Sequence, residues 1–256
     1  MYKGFLIETT SPSFVRLHAA LGRELVDARR SRVSQDLRTY TGENGELNAD
    51  QLVKQWFPEL RADVFISHSH LDKELALGLV GWLKEKLGVT AFIDSMVWGS
   101  ADELLKQIDD KYCKNKNEDT YNYSKRNLST SHVHMMLAMA IAKMIDSCEC
   151  LFLLSTPSSI SAGNTINDSQ TSSPWLFAEV VLSSLIRRTP LSRERQMRLK
   201  EASPSFETVA MDSASVSYSL PLAHLSRLNQ EMLEKWRVSA GNVRGQSALD
   251  ALYELC

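Results

Sequence analysis

Three short runs in this chain are apolar almost throughout: Val64-Phe65-Ile66, Val89 to Ile93, and Cys150 to Leu154. A strand with one wet face alternates polar and apolar residues, whereas a strand buried on both faces does not. Each run is followed by polar residues: Ser67-His68-Ser69-His70, Asp94 and Ser155. Helical segments separate the runs. Leu71 to Lys86 carries Leu75, Leu79, Trp82 and Leu83 on one face, and Gly88 stops it. Ser100-Ala-Asp-Glu103 is a capping box that opens a helix through Ile108, and His134 to Ile145 and Pro174 to Arg188 supply two more. Strand and helix alternating three times, with strands apolar on both faces, predict a parallel sheet covered on both sides. The expected class is α/β, a flavodoxin-like doubly wound sheet.

Composition narrows the function. Twenty-nine basic against 31 acidic residues leave a net charge of −2 over 256 residues, which excludes an electrostatically driven binder of nucleic acid or membranes. Cys113, Cys148, Cys150 and Cys256 fit neither a zinc spacing nor a disulfide framework. The opening MYKGFLIETT has no basic region followed by a long apolar one, and Met135 to Ile145 is short and broken by Lys143. The expectation is a cytoplasmic protein with no metal, no nucleic-acid partner and no membrane segment.

Texture divides the chain into three. Residues 1–60 read as a helical extension: Ser11-Pro12 starts a helix with Phe14, Leu17, Leu21 and Leu25, and Asn48 caps another carrying Leu52, Val53, Trp56 and Phe57. Residues 61–190 hold the α/β alternation, with 111–131 read as an exposed polar insertion. Residues 191–256 form a C-terminal extension expected to pack on the core. It has a basic stretch, Arg193 to Lys200, and strand candidates within Phe206 to Val216. A helix from Leu222 to Val238 follows, bearing Leu225, Leu228, Met232, Leu233 and Trp236, and a last helical stretch runs from Ser247 to Leu255.

No Gly-x-Gly-x-x-Gly follows a strand, and neither a Walker loop nor a Gly-x-Ser-x-Gly elbow is present. His68-x-His70 and His132-x-His134 lack a third ligand at matching spacing, so they read as ordinary loop histidines. Ser67, His68, Asp94 and Ser155 fall where open α/β sheets bind ligands, at the carboxyl ends of the strands. They equally well terminate strands and cap helices. Glu179 lies in Trp175-Leu-Phe-Ala-Glu-Val-Val-Leu, four residues after Trp175 and on its face. By periodicity alone, Glu179, Ser183 and Arg187 form a narrow solvated stripe.

The motifs in order point to a family. Asp63-Val-Phe-Ile-Ser-His68 resembles the first-strand motif of TIR (Toll/interleukin-1 receptor) domains. Phe92-Ile-Asp94 with the loop to Gly99 is similar to their second box and BB loop. Cys150-Leu-Phe-Leu-Leu-Ser-Thr156 with Ser173-Pro-Trp-Leu-Phe-Ala-Glu179 resembles their later strand and the helix bearing Trp-x-x-x-Glu. The resemblance spans about residues 62 to 188 and is nearest to bacterial TIR proteins of antiphage defence, such as the TIR component of Thoeris-type systems.

That resemblance implies a TIR fold and cleavage of the nicotinamide–ribose bond of NAD, with NAD as substrate and no bound cofactor. Glu179 would be the catalytic carboxylate. Ser67 and His68 would line the nicotinamide–ribose side, and Asp94 and Trp98 would belong to the loop shaping the cleft. Trp98 is either a stacking surface for a ring or an apolar plug. Trp175 would hold the glutamate helix beside the substrate. Implied partners are further copies of the chain and a downstream effector that senses the nucleotide product. The competing reading is a TIR scaffold that only binds partners; a less favoured one is another flavodoxin-like nucleotide binder.

Overall fold

The structure, a computed structural model, describes residues 1–8, 12–30, 47–98, 101–116, 119–162, 169–191 and 218–256. In chain order these form β1 (Lys3–Glu8), α1 (Pro12–Arg30), α2 (Ala49–Trp56), β2 (Val64–Ser67), a 3-10 turn (His70–Asp72), α3 (Lys73–Leu87), β3 (Ala91–Phe92) and α4 (Asp94–Val97). Then come α5 (Ala101–Tyr112), α6 (Tyr123–Ser147), β4 (Cys150–Leu154), β5 (Ser161–Ala162), β6 (Ser169–Thr171), α7 (Pro174–Leu185) and β7 (Tyr218–Ser219). A second 3-10 turn, β8 (Leu225–Asn229), α8 (Gln230–Ala240) and α9 (Gln246–Leu255) complete the described chain. The chain divides into two compact units, one of residues 1–25, 61–93 and 145–256, the other of residues 26–60 and 94–144.

The first unit is built on a five-stranded sheet in the order β3-β2-β4-β1-β8, every pair parallel. All three runs singled out from sequence are in it. The second is shorter than its apolar run because Thr90 precedes the ladder. Its amide and hydroxyl both donate to Asp63 Oδ2, at 2.8 and 2.7 Å, which gives that polar residue its partner.

Helices cover both faces of this sheet. Phe5 is directly opposite Phe152, so the two rings share a side and meet edge-on at 5.5 Å. Trp236 of α8 sits against Phe152 at 6.2 Å and against Trp82 of α3 at 5.7 Å. Tyr253 of α9 stacks on Phe5 at 6.3 Å. Trp236 is fully buried, and its indole N–H donates to the Ala248 carbonyl at 2.7 Å. Ser67 pairs with Leu153, one position beyond Phe152, so it points to the side of the sheet opposite Phe152, where it meets α7. The architecture is therefore α/β with a two-sided parallel sheet.

On the α3 side, α1 crosses α3 through glycines. A Cβ on Gly22 would overlap the Leu77 carbonyl oxygen, and one on Gly81 would overlap that of His18. The two backbones touch because neither residue has a side chain. His18 Nδ1 and Glu85 Oε2, 3.0 Å apart, flank this crossing.

Three expectations need correction. The N-terminal segment is not wholly helical: β1 is an interior strand between β4 and β8. Leu225 and Leu228 belong to an edge strand paired with β1, and the helix expected from Leu222 begins only at Gln230. Much of 111–131 is regular, since Lys114 and Tyr121 form an antiparallel bridge and α6 starts at Tyr123. The strand candidates between Phe206 and Val216, the stretch 193–200, Ser100 and Gly99 lie outside the described residues.

The second unit has its own polar centre. The buried Asp109 carboxylate accepts from Ser129 Oγ at 2.6 Å and Arg126 Nε at 2.9 Å, tying α5 to α6. Among the described residues no helix is long and apolar enough to cross a membrane.

Chain order along the sheet locates a crevice. From β1 to β2 to β3 the chain steps towards one edge, then reverses through β4 to β8 at the other. The connections leaving β2 and β4, which are neighbours, therefore diverge. Such a reversal opens a crevice at the carboxyl ends of the two strands.

Candidate functional site

Ser67 closes β2 at that crevice. It is fully buried, and its hydroxyl donates to Glu179 Oε2 at 2.5 Å. Glu179 comes from α7, whose start is well specified. Ser173 is the N-cap and accepts from the Leu176 amide at 3.2 Å, and Pro174 occupies the first turn. The helix buries Leu176, Glu179, Val180 and Ser183, which recur at three and four residues and form one face.

The solvated-stripe reading of Glu179 is overturned by this packing. Glu179 and Ser183 are 4% and 3% exposed, so both point inward, and only Arg187, beyond the helix end, is exposed. A carboxylate taken out of water is costly unless it is bonded, and the Ser67 hydroxyl supplies one such bond.

A second contact ties the two strand ends together. Thr156, just beyond β4, donates from its hydroxyl to Asp72 Oδ2 at 2.5 Å, and Asp72 follows β2. Ser159 holds Thr156 in turn: its hydroxyl accepts from the Thr156 amide at 2.9 Å and donates to the Leu154 carbonyl at 2.6 Å. Both loops at the crevice are thus fixed to the sheet and to each other. Sequence reading did not find Asp72, Thr156 or Ser159, because no local spacing links residues 84 positions apart.

Among the expected site residues, the structure joins Ser67 to Glu179. His68 follows Ser67 directly; its ring is partly exposed, but Nε2 is buried and has no hydrogen-bond partner. Burial, reinforced by the neighbouring basic groups of His70 and Lys73, pushes its pKa from 6.5 down to about 4, so the imidazole is neutral at pH 7. Trp175 is partly buried in the first turn of α7, one turn before Glu179. Ser155 is half-buried, and its amide donates to the Ile7 carbonyl at 2.9 Å, extending the ladder towards β1.

Asp94 and Trp98 belong to the second unit. Asp94 opens α4, and its carbonyl accepts from the Trp98 amide at 3.0 Å. Trp98 is 3% exposed, its indole N–H donates to the Pro58 carbonyl at 2.9 Å, and its ring meets Phe57 edge-on at 5.6 Å. Of the two roles left open for Trp98, these contacts are those of the apolar plug.

A serine–histidine pair lies one turn along α7. Ser183 Oγ is 2.8 Å from His224 Nε2. The same hydroxyl is 2.7 Å from the Val180 carbonyl and directs its single proton there, so it is not set up as a base-activated nucleophile. Among the described residues no group of three His, Cys, Asp or Glu side chains is arranged to hold a metal ion.

In comparisons with protein-family models, curated proteins and solved structures, the chain matches none.

Proposed function

We propose that the protein is a TIR-type enzyme that cleaves the nicotinamide–ribose bond of NAD, with Glu179 as its catalytic carboxylate. The observation that carries this reading is the Ser67–Glu179 hydrogen bond at the crevice between β2 and β4. The three motifs resembling TIR sequences add support, because the sheet sets two of them, around Ser67 and around Cys150 to Leu154, side by side.

The chemistry asks little of the protein beyond one fixed negative charge. In NAD the leaving nicotinamide is a pyridinium. When the bond from ribose C1′ to the ring nitrogen breaks, its electron pair neutralises that ring, and no proton need be delivered. A glycosidase acting on an ordinary sugar needs an acid for its leaving oxygen as well as a second carboxylate. Here the Glu179 carboxylate opposes the positive charge growing on the ribose and accepts from a ribose hydroxyl. Water then adds at C1′ and gives up a proton, leaving ADP-ribose. Capture by the lone pair of an adenine ring nitrogen would instead give a cyclic product, the positive charge gained there being relieved by loss of a proton from the exocyclic amine. Such a nucleotide fits a signal read by a separate effector in antiphage defence. Self-association through TIR surfaces in the cytoplasm belongs to the same reading.

The 4% exposure of Glu179 favours a second reading, a TIR scaffold in which the Ser67–Glu179 pair is purely structural. One experiment separates the two. Full-length protein is incubated with NAD at increasing protein concentration, and nicotinamide and ADP-ribose species are resolved by chromatography. The enzyme reading expects nicotinamide release, lowered ~100-fold or more in Glu179→Gln with an unchanged melting temperature. Absence of nicotinamide from protein that self-associates, or a Gln variant working at the parent rate, would replace it with the scaffold.

A further inference from the structure

We infer that the outward face of α6 docks the same face of a second copy of this chain, the two helices running antiparallel about a two-fold axis at Met135. The inference goes beyond the NAD reading and does not depend on it, because α6 carries neither Ser67 nor Glu179.

α6 is apolar on two opposite sides. Counted at 3.6 residues per turn, Val133, Leu137 and Met144 form one line, and Leu128, Met135 and Met139 form another on the far side. The first line is buried in the protein, whereas the residues of the second are 61, 62 and 50% exposed. A surface helix ordinarily keeps its outward line polar, and a helix apolar all round is ordinarily buried all round. Leu17, Leu71, Leu185 and Val238 are exposed too, but they stand singly on different elements, as on most protein surfaces. Three in line on one helix mark an interaction surface.

The pattern on that face says what covers it. Met135 is the midpoint of the stripe from Leu128 to Ala142. An antiparallel copy centred there sets Leu128 level with the partner's Ala142, His132 with the partner's Ala138, and Met139 with the partner's Ser131. Each large side chain thus lies beside a small one, and Met135 meets its own counterpart on the axis. The Ser131 hydroxyl already donates to the Asn127 carbonyl at 2.8 Å, so covering it strands no donor. A face that is its own complement is what an isologous, two-fold contact requires.

The charges at the two ends fit the same arrangement. α6 has no acid in its first turn and no base in its last, the placements its own dipole would favour. Instead Lys125 stands in the first turn, and Asp146, 63% exposed and 3.6 Å from the Met1 ammonium, stands in the last. An antiparallel copy brings Lys125 beside the partner's Asp146. Each charge then sits at the end of the opposite helix whose dipole stabilises it.

The helices meet over about four turns, which puts the contact at the small end of specific interfaces, roughly 1,200 Å² or below. A reversible dimer is therefore expected. Sedimentation velocity on the full chain should show monomer passing to dimer as concentration rises. Met135→Lys sets two ammonium groups against each other on the axis and should raise Kd ~30-fold or more, at an unchanged melting temperature. Orientation is read by cross-linking with a short bismaleimide in a Cys256→Ser background, the other cysteines being buried. Met135→Cys should couple to itself. Leu128→Cys should couple to Ala142→Cys when the two chains are mixed, and neither should couple to itself. A monomer at every concentration overturns the inference, as does a dimer that Met135→Lys leaves intact. Self-coupling of Leu128→Cys without coupling to Ala142→Cys means parallel helices and overturns the antiparallel contact. Protection of Met135→Cys from a monovalent maleimide in monomeric protein means that another part of the chain covers the face, which overturns it as well. Nicotinamide release enters none of these outcomes, so the NAD reading stands or falls separately.

Discussion

The hydroxyl of Ser67 lies 2.5 Å from Glu179 Oε2 and joins the end of a strand to a helix 112 residues further along the chain. Serine is the only polar member of β2, and Val64, Phe65, Ile66 and Ser67 are all fully buried. A hydroxyl in that position satisfies a buried acceptor rather than decorating a surface.

Replacing it should expose that dependence. Ser67→Ala removes one bond from a buried carboxylate oxygen and is expected to lower stability by about 1–3 kcal/mol. In the enzyme reading it also lowers nicotinamide release, because the carboxylate loses its anchor. Glu179→Gln, whose amide oxygen still accepts from Ser67, should retain stability and lose activity. Chemical denaturation and product chromatography on both variants check the pair of outcomes.

The Asp72–Thr156 contact makes a separate prediction. Asp72→Ala should cost about 1–2 kcal/mol and release the turn at 156–159 from the loop after β2. Amide hydrogen exchange would show faster exchange at Ser159 and Ile160, whose amides donate to the Thr156 carbonyl, with β4 itself still protected.

At the crossing of α1 and α3, Gly22→Ala or Gly81→Ala forces a methyl group into a carbonyl oxygen of the partner helix. Backbone cannot yield as a side-chain end can, so either change should cost about 1–3 kcal/mol or more, despite alanine's better helix propensity. Urea midpoints measure it. A stabilised Ala variant would mean that the helices do not meet through these residues.

His68 makes stability depend on pH in a defined direction. Its folded pKa of about 4 lies below the unfolded value of 6.5, so between those values the unfolded chain binds the extra proton. Stability is therefore complete above about pH 6.5 and falls as pH drops towards 4. The contribution is at most about 3 kcal/mol, less for the part of the ring that water reaches. His70 and Lys73 are the charges acting on it. Denaturant unfolding at steps from pH 7 to 4 should show a steeper decline in wild type than in His68→Gln.

Legibility from sequence followed how many sides of a strand are occupied. Val64 to Ile66 and Cys150 to Leu154 have neighbours on both edges and helices on both faces, and their residues are correspondingly apolar. β1 is just as central, yet its buried Gly4-Phe5-Leu6-Ile7 is a short run opened by a glycine and set between Lys3 and Glu8. β8 is an edge strand burying only Leu225 and Leu228, and a spacing of three imitates a helix. It runs directly into α8, whose Leu233 and Trp236 continue the imitation. Glu179 was visible as a residue but not as a buried one. α7 is so apolar that its polar positions look like its wet side, and the serine that draws the carboxylate inward comes from a strand outside any helical period.

The central place of β1 bears on synthesis. Gly4 lies between Leu151 on one side and Leu225 on the other, so this strand is flanked by segments made about 150 and about 220 residues later. At 5–20 residues per second, its second neighbour leaves the ribosome on the order of ten to forty seconds after it. Until then a hydrophobic strand with at least one open edge must be kept from other nascent chains, and sheet closure has to wait for translation to reach β8.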